Sequence, residues 1–116
     1  MAALTAVTPT NSGTVTAGAA VSSSDTIAQA VLGSLGAYLL ITNGNASSDT
    51  VTITDASLTA AGNPLAGGTI SDTITNGTSQ IYVIRPAQMN SSGLVTITHT
   101  VTASVTYQLW PIGSGI

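Results

Sequence analysis

A chain of 116 residues with net charge −3, a pI near 4.1 and only 4% charged side chains is expected to form one domain around one core, with hydroxyls, amides and glycines covering its surface. Lysine is absent and Arg85 is the sole cation besides the single histidine, which excludes the basic stripe that neutralises nucleic-acid phosphates. Cysteine is absent too, which excludes disulfides and thiolate metal sites.

Hydrophobic residues make up 43% of the chain, but aromatics only 3%, with no phenylalanine, so Val, Ile, Leu and Ala must build a thin core. The opening MAALTAVTP lacks the positive region and long apolar run of a signal peptide. The most hydrophobic window, residues 27–41, contains Gln29, Ser34 and two glycines and falls short of the roughly 20 apolar residues that span a bilayer. The expectation is a soluble, unprocessed chain with no membrane partner. Weak self-repulsion favours life in an assembly.

In chain order, residues 1–12 read as an N-terminal arm and residues 13–116 as a single β domain. The arm carries Leu4 and Val7, with strand chemistry over residues 4–8, and Pro9 prevents regular ladder pairing beyond it. Such an arm is suited to adding a strand to a neighbour. A second candidate strand covers residues 13–17. Residues 25–35 are the only place for a helical turn, with Ser24 or Asp25 as cap and Ile27, Val31 and Leu35 on one face, interrupted by Gly33. Further strands are expected over residues 37–42, 50–54, 69–75, 79–84, 94–99 and 104–110. Asn43-Gly44 and Asn76-Gly77 mark tight reversals, Gly62-Asn63-Pro64 and Gly67-Gly68 a longer loop, and residues 90–93 another connection.

The segment LVTITHTVTASVTYQLW, residues 94–110, alternates with period two, placing Val95, Ile97, His99, Val101, Ala103, Val105, Tyr107 and Leu109 in one row and mainly threonines in the other. One strand of this length would reach about 55 Å at 3.3 Å per residue, so a reversal near residues 100–103 should divide it into a hairpin; no glycine marks the turn, which leaves a sharply bent or bulged single strand as the alternative. Short strands with apolar and threonine rows indicate an all-β, antiparallel β-sandwich, either a jelly roll or immunoglobulin-like.

Few residues suggest chemistry. His99 could serve as a general base only if a serine and an aspartate converged on it, and no nucleophile elbow is present. Packing at a strand end or across a subunit boundary is the better reading. The four aspartates are scattered, and a loop such as residues 45–49 suits turn and capping roles better than calcium. The glycine-rich stretches lack the lysine of a phosphate loop, and the three sequons beginning at Asn45, Asn76 and Asn90 are expected by chance in so Asn/Ser/Thr-rich a chain. No catalytic residue, metal or cofactor is assigned. Arg85, in IYVIRPAQM, fits either an ion pair with an aspartate or an intersubunit contact, and Trp110 reads as a core-edge or interface anchor.

The order LLITNGN, DTVTIT, a glycine-rich loop with a TIT strand, SQIYVIRP, SGLVTITHT and ASVTYQLW resembles the small head-decoration, or cement, proteins of tailed bacteriophages. The resemblance covers residues 37–110. Arg85-Pro86 stands where that group tends to have Gly-Pro, and His99 where it has an aromatic. It implies a non-enzymatic β-sandwich that binds the outside of a capsid and clamps neighbouring subunits of the major capsid protein, commonly as a homotrimer. On that reading, capsid or subunit contacts are expected at Leu4, Val7, Pro9, Arg85, His99 and Trp110. A tail or head-fibre subunit of a virion and a bacterial surface or adhesin module are the alternatives. An enzyme is the weakest reading.

Overall fold

β-branched side chains fit a pleated, half-buried surface, and they set the local structure along most of the chain. The computed structural model describes residues 2–7, 18–33, 35–55, 69–90 and 92–112. Nine strands occur among them: β1 Ala2–Ala3, β2 Ala19–Ala20, β3 Ser24–Ala28, β4 Ala37–Asn43, β5 Asp49–Ile53, β6 Ile70–Ile74, β7 Ser79–Ile84, β8 Leu94–His99 and β9 Val105–Pro111. One helical turn, α1 Gln29–Leu32, and a 3-10 turn at Pro86–Gln88 complete the elements.

The strands form two sheets, ordered β1-β3-β8-β5-β6 and β2-β9-β4-β7. The pairings are nested: β2 with β9, β3 with β8, β4 with β7 and β5 with β6, all antiparallel. That is one long antiparallel ribbon. Additional pairing of β4 with β9 and β5 with β8 rolls the ribbon onto itself. The strand order is therefore that of a jelly roll, which decides between the two architectures the sequence allows.

Burial alternates along β4, β5, β8 and β9 as period two requires. Ile27, Leu39, Ile41, Val51, Ile53, Val95, Ile97 and Leu109 fill the space between the sheets, each contributing about 1.5–3 kcal/mol through burial. Tyr107 is the one aromatic in the buried core, and its hydroxyl accepts the Thr5 N–H at 2.9 Å.

Three expectations change. Residues 2–7 do not project as an arm. Leu4 donates its N–H to the Thr26 carbonyl and Val7 to the Leu109 carbonyl, both at 2.8 Å, so the segment crosses from β3 in one sheet to β9 in the other. Leu4 is 7% exposed and belongs to the core, because the open side of the sandwich needs an apolar cover. The strand expected over residues 4–8 is not formed at residues 4–7, where ladder pairing is confined to the preceding Ala2–Ala3, and residue 8 lies outside the described residues. Residues 13–17, Pro9 and the loop at residues 62–68 lie outside the described residues.

The helical turn expected within residues 25–35 is present but confined to the single turn α1, and the residues before it form strand β3. Five residues of β3 pair with β8, and this ladder outweighs a weak helical period in a segment containing Thr26 and Ile27. The Asp25 carboxylate accepts the Ser22 N–H at 3.0 Å and the Ser22 hydroxyl, which shapes the strand entry.

The third change concerns the last two strands. The reversal falls where expected, but β8 and β9 belong to different sheets, so the connection crosses the sandwich and is no flat hairpin. Ser104 takes the left-handed conformation, φ 59°, that glycine would usually supply. Replacing it with glycine, Ser104→Gly, should raise stability by about 0.5–1 kcal/mol in urea unfolding. By contrast, a Cβ at Gly36 (φ 92°) would lie 2.2 Å from the Ile84 carbonyl oxygen, so Gly36→Ala should cost about 3 kcal/mol in the same measurement.

Candidate functional site

Two places could carry function: the polar end of the sandwich around His99, and the exterior of the β2-β9-β4-β7 sheet. At the first, β8 ends with His99 pointing inward opposite Val51. Its ring Nδ1 lies 2.7 Å from Asp49 Oδ2, with side-chain exposures of 2% and 0%. A carboxylate can only accept, so Nδ1 carries the hydrogen. The other carboxylate oxygen, Asp49 Oδ1, accepts the Thr100 N–H at 3.0 Å and the Val101 N–H at 3.1 Å. Thr100 Oγ1 in turn accepts the Thr50 N–H at 2.8 Å. The carboxylate therefore holds the first residues after β8 in a bend toward the other sheet.

An Asp–His pair of this kind is the orienting half of an acid–base–nucleophile arrangement. Here the ring has almost no exposed surface, and the carboxylate is committed to two backbone amides. The arrangement staples a turn. Asn43, also fully buried, does the same for the preceding loop: its Nδ2 donates to the Ser47 and Ile74 carbonyls, and its Oδ1 accepts the Asn45 N–H, all at 2.9 Å. Asn45 Nδ2 reaches the Ala103 carbonyl at 2.8 Å. The loop before Asp49 is thus tied to its own backbone, with Asp49 turned inward. Among the described residues no group of three or more His, Cys, Asp or Glu side chains could hold a metal ion.

A second inter-sheet tie lies nearby. Tyr82 on β7 donates its hydroxyl to Asp72 Oδ2 on β6 at 2.7 Å. Burial, then the hydrogen bond to Asp72, then the negative charges of Asp72 and Asp49 all push the phenol well above its usual value of 10.0.

The two sheet exteriors differ in chemistry. Outside β3, β8, β5 and β6 the register aligns Ser24, Thr98, Thr52 and Ser71 in one row, with Thr96, Thr50 and Thr73 on the same face. This surface is almost entirely hydroxyl. Outside β7, β4 and β9, the register aligns Val83, Tyr38 and Trp110 in one row and Ile81, Leu40 and Gln108 in the next. Ile81 is 59%, Val83 50% and Tyr38 43% exposed, while Leu40 and Trp110 are half-buried. Contiguous apolar surface on a sheet exterior marks an interaction site.

The structure brings Arg85 and Trp110 to the same end of this sheet, one after β7 and the other near the end of β9. Arg85 is exposed, and among the described residues the only ion pair is His99–Asp49, so the aspartate partner expected for Arg85 is not found there. His99 lies at the opposite end in the other sheet, Val7 is half-buried at the seam, and Leu4 is in the core. Of these, His99 and Leu4 are buried and present almost no surface to a partner. Residues Tyr38, Leu40, Ile81 and Val83 were not expected as surface contacts. Their signal is nonetheless present in AYLLIT and SQIYVI, where apolar residues occupy both phases of a strand.

No protein-family model, no curated protein and no solved structure matches the chain significantly.

Asp49→Ala should cost about 3–5 kcal/mol, because it leaves the ring and two backbone amides without their acceptor; chemical unfolding of the variant measures it. Tyr82 binds its proton more tightly folded than unfolded, so its contribution is complete below pH 10 and is lost as pH rises through the folded value. Thermal melts should therefore show stability declining above pH 10, and less steeply in Tyr82→Phe.

Proposed function

We propose that the chain is a non-enzymatic structural protein of a tailed-phage virion, a decoration subunit on the outer capsid surface that clamps neighbouring copies of the major capsid protein. The observation that carries it is the opposite chemistry of the two sheet exteriors, both without charged side chains among the residues named above. A subunit cladding a shell requires one face that seats and one that meets water. The apolar rows with Tyr38 and Trp110, flanked by Arg85, have the composition of an interface core. The hydroxyl rows of the other sheet satisfy water without charge.

Three further features agree with this reading. Jelly rolls recur in viral shells, an argument by analogy of fold. Low charge lets many copies crowd a surface without mutual repulsion. Contacts that are weak singly become strong when a lattice holds them in register. The resemblance of residues 37–110 to head-decoration proteins points the same way.

Mass spectrometry of protease-digested particles from the source, with this chain quantified against the major capsid protein, tests the proposal. A copy number comparable to capsid subunits is expected. A handful of copies would assign the chain to a tail or fibre, and complete absence would favour a surface or adhesin module. On the same particles, Tyr38→Ala should weaken binding roughly thirtyfold, the loss of about 2 kcal/mol expected of an aromatic anchor, while circular dichroism stays unchanged.

A further inference from the structure

Each described sheet has two edges, and three of the four are protected. Strands β1 and β2 contribute only two residues each. Strand β6 carries a charge at Asp72, whose Oδ1 accepts the Thr73 N–H at 3.0 Å, one of the amides the edge would otherwise present. Strand β7 is different. Its six residues, Ser79–Ile84, include no charge and no proline, the devices by which natural sheets block pairing with another chain.

The ladder shows which groups β7 offers. The Asn43 N–H bonds to the Thr78 carbonyl at 3.0 Å, and hydrogen-bonded positions alternate along an antiparallel pair. Ile41–Gln80, Leu39–Tyr82 and Ala37–Ile84 are therefore the bonded pairs with β4. The N–H and C=O groups of Ser79, Ile81 and Val83 point away from the sheet. Their side chains lie on the apolar exterior, exposed.

We propose that β7 is the strand through which two copies of this chain pair, antiparallel and about a two-fold axis, with Ile81 of each copy opposite Ile81 of the other. The occupant follows from self-complementarity. In this register Ser79 faces Val83, no two like charges meet, and the two Arg85 side chains lie at opposite ends, roughly 27 Å apart at 3.4 Å per residue. A parallel pairing would set those cations side by side. The pair exchanges backbone hydrogen bonds as in strand addition, forms an isologous contact, and joins both apolar exteriors into one eight-stranded platform. It depends on no capsid, so it stands or falls separately from the virion role.

The native chain has no cysteine, which makes Ile81→Cys a clean probe. Residues opposite each other at a hydrogen-bonded antiparallel position have Cα atoms about 5.5 Å apart, within reach of a disulfide. Mild oxidation should convert most of Ile81→Cys to a covalent dimer, whereas Thr52→Cys, on the other exterior, should remain largely without a covalent cross-link. Sedimentation of the native protein should show a dimer, and Val83→Lys should shift its dissociation constant at least tenfold upward. Amide exchange at Ile81 and Val83 in the native protein should slow with rising concentration, a readout that holds even if a variant misfolds. A native monomer with concentration-independent exchange would overturn the proposal, as would a trimer in which Ile81→Cys does not cross-link.

Discussion

The sandwich depends on a single carboxylate at one end. Asp49 accepts the amides of Thr100 and Val101 and the ring hydrogen of His99, and by doing so turns the chain from β8 in one sheet to β9 in the other. Both strands are interior: β8 lies between β3 and β5, and β9 between β2 and β4. The bend between them therefore sets the register of both sheets together. A buried charge is costly unless its hydrogen-bonding capacity is filled, and here the turn itself fills it. The histidine completes this arrangement by taking the remaining oxygen.

Aliphatic residues fill the interior, and polar ties such as Tyr82–Asp72 and Asn43–Ile74 link elements where the core runs out. The exteriors then diverge. One sheet alternates apolar with hydroxyl, so its outer face is threonine and serine. The other contains strands that are apolar at both phases, and it cannot bury both. Its surplus apolar surface, next to an edge without charge, is the most distinctive feature of the molecule.

The sequence was most legible where alternation was strict. Residues 94–110 disclosed both closing strands, the inward direction of His99 and the position of the reversal, because period two fixes the face of every side chain. Legibility failed where long-range partners decided. Thr26 and Ile27 became strand because β8 lies beside them, not because of any local pattern. Leu4 looked like part of a free arm, yet it caps the seam between sheets. The exposed apolar face was half-visible: Trp110 and Arg85 stood out as rare residue types, while Tyr38, Ile81 and Val83 were hidden by the assumption that strand apolar residues face inward.

Composition and periodicity by themselves determined that the chain is all-β, built of aliphatic rows backed by hydroxyls, and poor in charge. These are local properties, set by side-chain branching and by the two-residue repeat of a strand. Only the tertiary structure decided that the ribbon rolls into a jelly roll, that Asp49 and His99 meet across 50 residues of chain, and which apolar rows remain outside. Those outcomes depend on which strands pair and which face each pair turns inward, and pairing is a competition among distant segments that no single window of sequence contains.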